Sequence, residues 1–349
     1  MKKISIILHC LKCGGTERTA AELSNYFASI GIDVTIILLF KMDVFYQLDS
    51  RVNLIQPKLD RSKINKFLYI LFIIPYLRNA IRKSNPDRIF ILGFISYVLF
   101  VTLGMRYTFF ISNRSNPNRK RFPMYRTLRN IIYKRAKGII AQTTYSASIW
   151  KTEVKHKNVI VIPNFIRKIK DHNIVKENLI ANVGRLTFEK GQHYLMEAFA
   201  KLQAPEWKLI FIGDGPLHEK LTEKAIQLNI LERVVFAGFQ KDVDSFLHKS
   251  KIFAFSSIIE GFPNALCEAM ATPLPCVSFD CVAGPSEIIS DGINGFLVPT
   301  GNIEQLSDVL SKLIESEPLR KQIAKEAYKV RKLYNIEDIG NRYYEFIFN

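Results

Sequence analysis

Two glutamates stand eight positions apart in Glu260-Gly-Phe-Pro-Asn-Ala-Leu-Cys-Glu268. The apolar run Ile252-Phe-Ala-Phe255 leads into them, and Pro263 and Asn264 open a helix-like stretch that reaches Ala271. The first carboxylate therefore falls on a loop after a strand, and the second about one turn inside a helix. The N–H groups of a helix start have no intrahelical acceptor and form an anion site. One carboxylate beside that site and one behind it suit a ligand with hydroxyls on both sides of a phosphate. The same residues also fit a plainer role, an acid favoured by the helix dipole plus a solvent-facing glutamate. Upstream, Gly184-Arg185…Lys190-Gly191 sets two cations on a loop between a strand and a helix. Arginine offers phosphate a planar fork, and lysine a mobile point charge. A departing diphosphate gains negative charge as its bond to carbon breaks, and fixed cations and N–H groups stabilise that gain. No Asp-x-Asp pair follows a strand where a divalent metal would need it, so the two cations can take a metal's place. Ordinary surface cations are the competing reading in a chain with 49 Lys and Arg.

The elements that must hold these residues alternate between strand-like and helix-like segments, the pattern of a parallel sheet covered on both faces. In the first half the pattern predicts strands over 4–8, 34–40, 88–92, 108–112, 138–141 and 159–162, with a loop at Gly14-Gly15 and a helix over 16–30. Pro163-Asn164 breaks the rhythm, which then restarts. Strands are expected over 179–183, 208–212, 234–237, 252–255, 275–279 and 295–298. Helices are expected to end near 202 and to span 217–228, 243–249, 303–316, 317–333 and 336–348. This gives two doubly wound α/β units, residues 1–165 and 166–335, with residues 336–349 expected to pack back on the first. Ligands of open α/β sheets bind beyond the carboxyl ends of the strands. Gly14-Gly15, the Arg185/Lys190 loop and the glutamate pair all follow strands in this way.

Composition narrows the function classes. A chain of 349 residues, 48% hydrophobic, can fill two cores. Its five cysteines, an odd number with no repeated pairing pattern, fit a reducing compartment. Cys10-Leu-Lys-Cys13 has zinc-like spacing but no second pair and no Cys/His cluster after it, so no metal site is expected. Charge is divided unevenly. Residues 1–170 hold 30 Lys and Arg against 8 Asp and Glu, whereas the rest hold 19 against 24. Such an excess points the first half toward something anionic: a membrane surface, a phosphorylated substrate or nucleic acid. A chain from a generally basic proteome is the plainer reading. Nothing resembles a helix-turn-helix, RNA-recognition or zinc-finger pattern, so no specific nucleic acid is expected and a non-enzymatic basic nucleic-acid binder is a remote alternative. Gly14-Gly15 does not extend to a dinucleotide-binding glycine turn. The N-terminal apolar run stops at His9 without a leader cleavage site. Residues 67–77 are uncharged, very apolar and contain Pro75; they are too short to span a bilayer and suit an interfacial element. Residues 89–105 read as a buried strand and a buried helix broken at Gly93.

Together, Gly14-Gly15-Thr-Glu-Arg18, Val183-Gly-Arg-Leu-Thr-Phe-Glu-Lys-Gly191, Glu260-x7-Glu268 and Gly284-Pro-Ser-Glu-Ile-Ile…Asp291-Gly-x-Asn-Gly-Phe-Leu-Val-Pro299 resemble the retaining glycosyltransferases of family four, over essentially the whole chain. That resemblance implies the GT-B fold, two Rossmann-like domains facing a central cleft, with the acceptor on the first and the nucleotide sugar on the second. It implies that Arg185 and Lys190 hold the diphosphate, that Glu268 accepts hydrogen bonds from the ribose, and that Glu260 contacts the transferred sugar. Backbone N–H groups of Phe262, Pro263-flanking Asn264, Ala265 and Leu266 would face sugar and phosphate, and Gly15 would let its loop approach the diphosphate. Pro263 belongs to the same donor-binding stretch. The leaving phosphate would help deprotonate the acceptor hydroxyl, with no protein nucleophile and no metal cofactor.

One departure bears on the mechanism. Where many relatives carry a His after the strand ending at Ser112, this chain has Arg114, which cannot act as a base near neutral pH. Arg114 and the run Arg119-Lys120-Arg121 fit a pyrophosphate-bearing acceptor; for the run, a solvated loop is the alternative. With Glu260, Arg114 is the residue expected at the reacting groups. The expected activity is transfer of a hexose or N-acetylhexosamine from a UDP-sugar to a lipid-pyrophosphate-linked saccharide, in surface-polysaccharide synthesis such as lipopolysaccharide or capsule. The expected place is cytoplasmic, peripheral on the inner, anionic face of the cytoplasmic membrane. A soluble enzyme acting on a sugar phosphate or small metabolite is the alternative.

Overall fold

Short runs rich in Ile, Val and Phe alternate with longer segments of helical period, so each strand must reach its parallel neighbour through a crossover helix. The computed structural model describes residues 1–114 and 123–349. The chain divides into two units, Met1–Phe165 with Ile336–Asn349, and Ile166–Asn335.

The first unit contains β1 (Lys3–Leu8), α1 (Gly15–Ser29), β2 (Asp33–Leu38), β3 (Val52–Ile55), α2 (Lys66–Ser84), β4 (Arg88–Ile91), α3 (Ile95–Val101), β5 (Thr108–Ile111), α4 (Pro123–Tyr133), β6 (Gly138–Ala141), α5 (Thr144–Thr152) and β7 (Val159–Val161). Its parallel sheet has the order β3-β2-β1-β4-β5-β6-β7. The second unit contains β8 (Leu179–Val183), α6 (Gln192–Ala200), β9 (Lys208–Ile212), α7 (His218–Gln227), β10 (Val234–Gly238), α8 (Val243–Lys249), β11 (Ile252–Phe255), α9 (Asn264–Ala271), β12 (Cys276–Asp280), β13 (Phe296–Pro299), α10 (Ile303–Glu315), α11 (Glu317–Ala327) and α12 (Val330–Leu333). Its sheet has the order β10-β9-β8-β11-β12-β13, again parallel. Strand order reverses between β1 and β4 in one sheet and between β8 and β11 in the other. Each reversal opens a crevice at the strands' carboxyl ends, where such sheets bind ligands.

The chain then returns to the first unit through α13 (Ile336–Phe348). Tyr343 of α13 is fully buried and meets Phe90 edge-on at 5.8 Å, and Phe346 meets Phe110 at 5.5 Å. Large aromatic side chains of this kind supply much of an interface's apolar burial. In the second unit, two apolar layers cover opposite faces of the sheet, one built around Phe199, Phe211 and Phe279, the other around Phe253, Phe255 and Met270.

Several expectations are adjusted. Gly15 is the first residue of α1 and not loop, because Gly14 is the residue that turns into the helix. Strand β3, unforeseen, is a four-residue edge with only Val52 buried. The expected helix over 317–333 is divided into α11 and α12. Residues 89–105 form a strand and a helix, as expected. Residues 67–77 belong to a 19-residue helix that continues through Pro75. Pro75 has no N–H to offer the Leu71 carbonyl, and Leu71 lies on the exposed side of the helix. Asn65 caps the start of α2 by accepting from the Phe67 N–H at 2.9 Å, and Asn85 ends it in the left-handed conformation. Tyr69, Ile73 and Leu77 of α2 are buried, while Phe67, Leu68, Leu71 and Phe72 face solvent. Among the described residues no helix is long and apolar enough to cross a membrane.

Candidate functional site

In the second unit, the crevice at the strand-order reversal is made by the loops after β8 and β11. The first loop leaves Val183, passes a one-turn helix at Phe188–Lys190 and ends on Gly191. Gly191 has φ +62, and a Cβ there would strike the Ser256 carbonyl oxygen, so only glycine lets the two loops touch. The Ser256 hydroxyl donates to the Lys190 carbonyl at 3.0 Å, and the Ile258 N–H donates to the Glu189 carbonyl at 2.9 Å. These bonds bring Lys190 to Glu260, where the ammonium meets the carboxylate at 2.5 Å. Two residues expected at different parts of one ligand are thus bonded to each other. Arg185 is exposed; its carbonyl accepts from the buried Gln192 amide at 3.1 Å, which fixes the loop backbone and leaves the guanidinium outside.

Helix α9 follows Glu260. Phe262 is buried against Tyr334 with ring centroids 6.2 Å apart, and Pro263 is the residue before the helix. The Asn264 N–H already donates to the Phe262 carbonyl at 3.0 Å, so it is not available to a ligand in this state. The N–H groups of Ala265 and Leu266 have no acceptor among the described residues. The Leu266 side chain goes into the core.

Glu268 is 8% exposed, which removes the reading of a solvent-facing glutamate. Its partner is Arg167, whose Nε donates to the carboxylate at 3.2 Å. Arg167 also grips Asp244 with both terminal nitrogens, one at 2.8 Å, and the Lys170 N–H donates to Asp244 at 2.8 Å. Burial works against the Asp244 carboxylate, but Arg167 and the Lys170 N–H outweigh it and hold its pKa below the usual range. Burial likewise opposes the Arg167 charge, and Asp244 and Glu268 together raise its pKa despite that. Sequence reasoning missed Arg167 and Asp244. The available signal was two acids, Asp242 and Asp244, at the start of α8, where one suffices: Asp242 caps the helix, and Asp244 turns to Arg167.

In the first unit the corresponding crevice is a cavity of about 600 Å³ lined by the ends of β1, β4 and β5, among them His9, Gly93 and Arg114. Arg114 is held by Asn164 and by the Tyr343 hydroxyl of α13 at 3.4 Å. His9 meets Glu17 at 2.8 Å. Burial raises the Glu17 pKa, but the His9 hydrogen bond, the residue's own N–H and the charges of His9 and Arg114 leave it lowered overall. The Glu17 carboxylate folds over Gly14, where a Cβ would displace it. The Tyr46 hydroxyl bridges the Gly14 N–H and carbonyl at 2.9 and 2.8 Å and fixes this turn. The run Arg119-Lys120-Arg121 lies outside the described residues.

Among the described residues one set of possible metal ligands converges: His9, Cys10 and Glu17, with donor atoms within 4.8 Å of one another. Cys13, the other half of the Cys10/Cys13 spacing, is exposed and not part of this set. Burial raises the Cys10 pKa.

Comparison with known proteins assigns these units. Glycosyltransferase Family 4 matches residues 13–168, and Glycosyl transferases group 1 matches residues 164–330. The amylovoran biosynthesis glycosyltransferase AmsD of Erwinia amylovora is 28% identical over 94% of this chain and 95% of its own length. A Campylobacter jejuni N-acetylgalactosamine-N,N'-diacetylbacillosaminyl-diphospho-undecaprenol 4-alpha-N-acetylgalactosaminyltransferase is 26% identical over 94% of each chain. Anabaena HepE, solved in complex with UDP, superposes with a TM-score of 0.81 at 18% identity over 99% of each chain. The chain therefore carries, in order, the family 4 and group 1 domains of a glycosyltransferase with the GT-B fold.

Proposed function

We propose that the protein is a retaining, metal-independent glycosyltransferase that moves a hexose or N-acetylhexosamine from a UDP-sugar to a lipid-pyrophosphate-linked saccharide, in bacterial surface-polysaccharide synthesis. The observation that carries this reading is the Lys190–Glu260 pair, formed by two loops at the strand-order reversal of the second unit. A diphosphate entering there would draw Lys190 from Glu260 and free that carboxylate for the hydroxyls of the transferred sugar. Arg185 and the N–H groups of Ala265 and Leu266 would share the phosphate charge, so no metal is needed. Glu268, oriented by Arg167, would accept from the ribose hydroxyls, and Gly15 would lie near the diphosphate. As the bond from anomeric carbon to phosphate breaks, the bond to the acceptor oxygen forms, and the acceptor proton passes to the leaving phosphate. Arg114 would bind the acceptor's anionic group.

The names of relatives support the two substrates. The Campylobacter enzyme is named for a diphospho-undecaprenol acceptor, and HepE was solved with UDP. The exposed apolar side of α2 and the basic excess of the first half favour peripheral attachment to the inner face of the cytoplasmic membrane.

A thermal-shift screen of UDP- and GDP-sugars tests the sugar donor. At about 100 times its Kd the right one should add roughly 2.7 kcal/mol of stability. Glu268→Ala should weaken that donor by about 1.5–3 kcal/mol, the value of a charge-assisted hydrogen bond. If no nucleotide sugar stabilises the protein, the reading is wrong. Flotation with anionic vesicles at low salt tests attachment, and protein left at the bottom of the gradient would favour a soluble acceptor.

A further inference from the structure

A second cavity, about 200 Å³, lies in the first unit and is not used by the chemistry above. The end of β2 contributes Leu39 and Phe40 to it, and α2 contributes Tyr69, Ile70 and Ile73. Phe94 and Tyr97 line both this cavity and the 600 Å³ one that holds Arg114, so the two are neighbours across a shared wall. Both tyrosine hydroxyls in its lining are already bonded. The Tyr69 hydroxyl donates to the Leu39 carbonyl at 2.9 Å, and the Tyr97 hydroxyl donates to the Ile70 carbonyl at 2.8 Å. Water inside would find few partners, whereas apolar cavities of about 150 Å³ take a small hydrocarbon readily. Among the described residues one charged side chain lines it, Arg61, whose guanidinium lies 4.6 Å from the Phe40 ring centroid.

The helix that bounds this cavity also presents Phe67, Leu68, Leu71 and Phe72 to solvent. The surrounding sequence is nearly free of negative charge: residues 61–152 contain 18 Lys and Arg and a single acid, Asp87. An apolar slot, a neighbouring cavity with an arginine, and a cationic apolar surface occur in one unit. That combination fits one molecule with a hydrocarbon chain, a phosphate group and a polar head. A neutral lipid would have no use for the charge, and a free sugar phosphate none for the slot.

We propose that the cavity between α2 and the end of β2 binds the phosphate-proximal hydrocarbon segment of the lipid-pyrophosphate acceptor, with its polar head in the neighbouring cavity. This rests on the lipid-linked acceptor reading above and adds the place where the chain is held. The slot selects for a chain, and it sets the distance from the bilayer to the reacting hydroxyl.

Equilibrium dialysis with labelled farnesyl diphosphate and inorganic pyrophosphate tests it, using the full-length protein without detergent. The wild type should bind farnesyl diphosphate at least tenfold more tightly than pyrophosphate. Ile73→Trp, which fills the slot, and Ile70→Asp, which puts a charge at its exposed wall, should each bring the ratio close to one and leave pyrophosphate binding unchanged. Because Ile70 is exposed, its variant decides the matter if Ile73→Trp does not fold. Wild-type farnesyl diphosphate affinity in a folded variant, or equal affinity of the wild type for both probes, overturns the proposal. Thermal shift with the UDP-sugar, run on the same proteins, keeps the two readings apart. A missing shift in the wild type sinks the proposed transferase reaction, while the dialysis still decides the slot.

Discussion

The two units share a ground plan, a doubly wound parallel sheet with a crevice where strand order reverses, yet they handle charge in opposite ways. In the second unit the buried charges at the crevice are matched within the chain, Lys190 with Glu260 and Arg167 with Asp244 and Glu268, and Arg185 stays exposed. In the first, residues 61–152 carry 18 cations against one acid, beside apolar side chains that face solvent. Matched pairs keep a fold stable until a ligand exchanges for one partner, which suits a compact, strongly charged ligand. Excess positive charge beside apolar surface suits an extended amphiphile. The pairs in the second unit are also dear to break, since a buried ion left alone keeps its desolvation penalty.

The largest expected effect tests the exchangeable pair. Lys190→Ala should lower the rate of UDP release from the sugar donor by about 10²–10³, the usual loss when one group stabilising a developing charge is removed. Lys190→Arg should retain much of it, and vesicle flotation should not change. A wild-type rate in Lys190→Ala would mean that the lysine serves only to neutralise Glu260. Next comes the structural cluster. Asp244→Asn should destabilise the second unit by about 3 kcal/mol at pH 7, because Arg167 loses the partner it grips twice. The Asp244 pKa is lower in the folded protein than its ordinary value of about 3.9. Its contribution is therefore full above that ordinary value and disappears as pH falls through the lowered one. The difference between wild type and variant should accordingly be large at pH 7 and shrink as pH falls below the ordinary carboxylate value and through the lowered one. Hydrogen exchange, read separately over residues 1–165 and 166–335, measures it. Equal loss of protection in both units would contradict a local role.

Elements buried on both faces were legible in the sequence. The strands over 179–183, 208–212 and 252–255 have their expected bounds, because continuous apolar runs leave no choice of face. Strand β3 was not legible, since an edge strand with one buried residue shows no pattern. The extent of α2 was hidden by Pro75, which ordinarily ends a helix and here interrupts only its exposed side. In the candidate site, the residues carrying a motif could be read, but their partners could not. Arg167 lies 101 positions from Glu268 and 77 from Asp244, and only the folded chain brings such residues together. Likewise, nothing in the sequence ties Tyr343 to Arg114, 229 positions apart.

Arg114 offers the smallest effect and the finest division between the units. Its guanidinium reaches Asn164 and Tyr343 and lies close enough to lower the Glu17 pKa, so its fork is oriented by the segment after β7 and by α13. Lysine would keep the charge but could not hold both partners and a ligand in one plane. Arg114→Lys should therefore raise the acceptor KM about tenfold, roughly 1.4 kcal/mol, with kcat nearly unchanged. The thermal shift produced by the sugar donor should stay as in the wild type, because that binding is assigned to the second unit. If kcat falls and KM holds, Arg114 acts on the reacting groups in the transition state. If instead the donor shift collapses, the arginine belongs to the diphosphate, and the division of labour between a self-paired unit and a cation-rich one fails at the residue chosen to mark it.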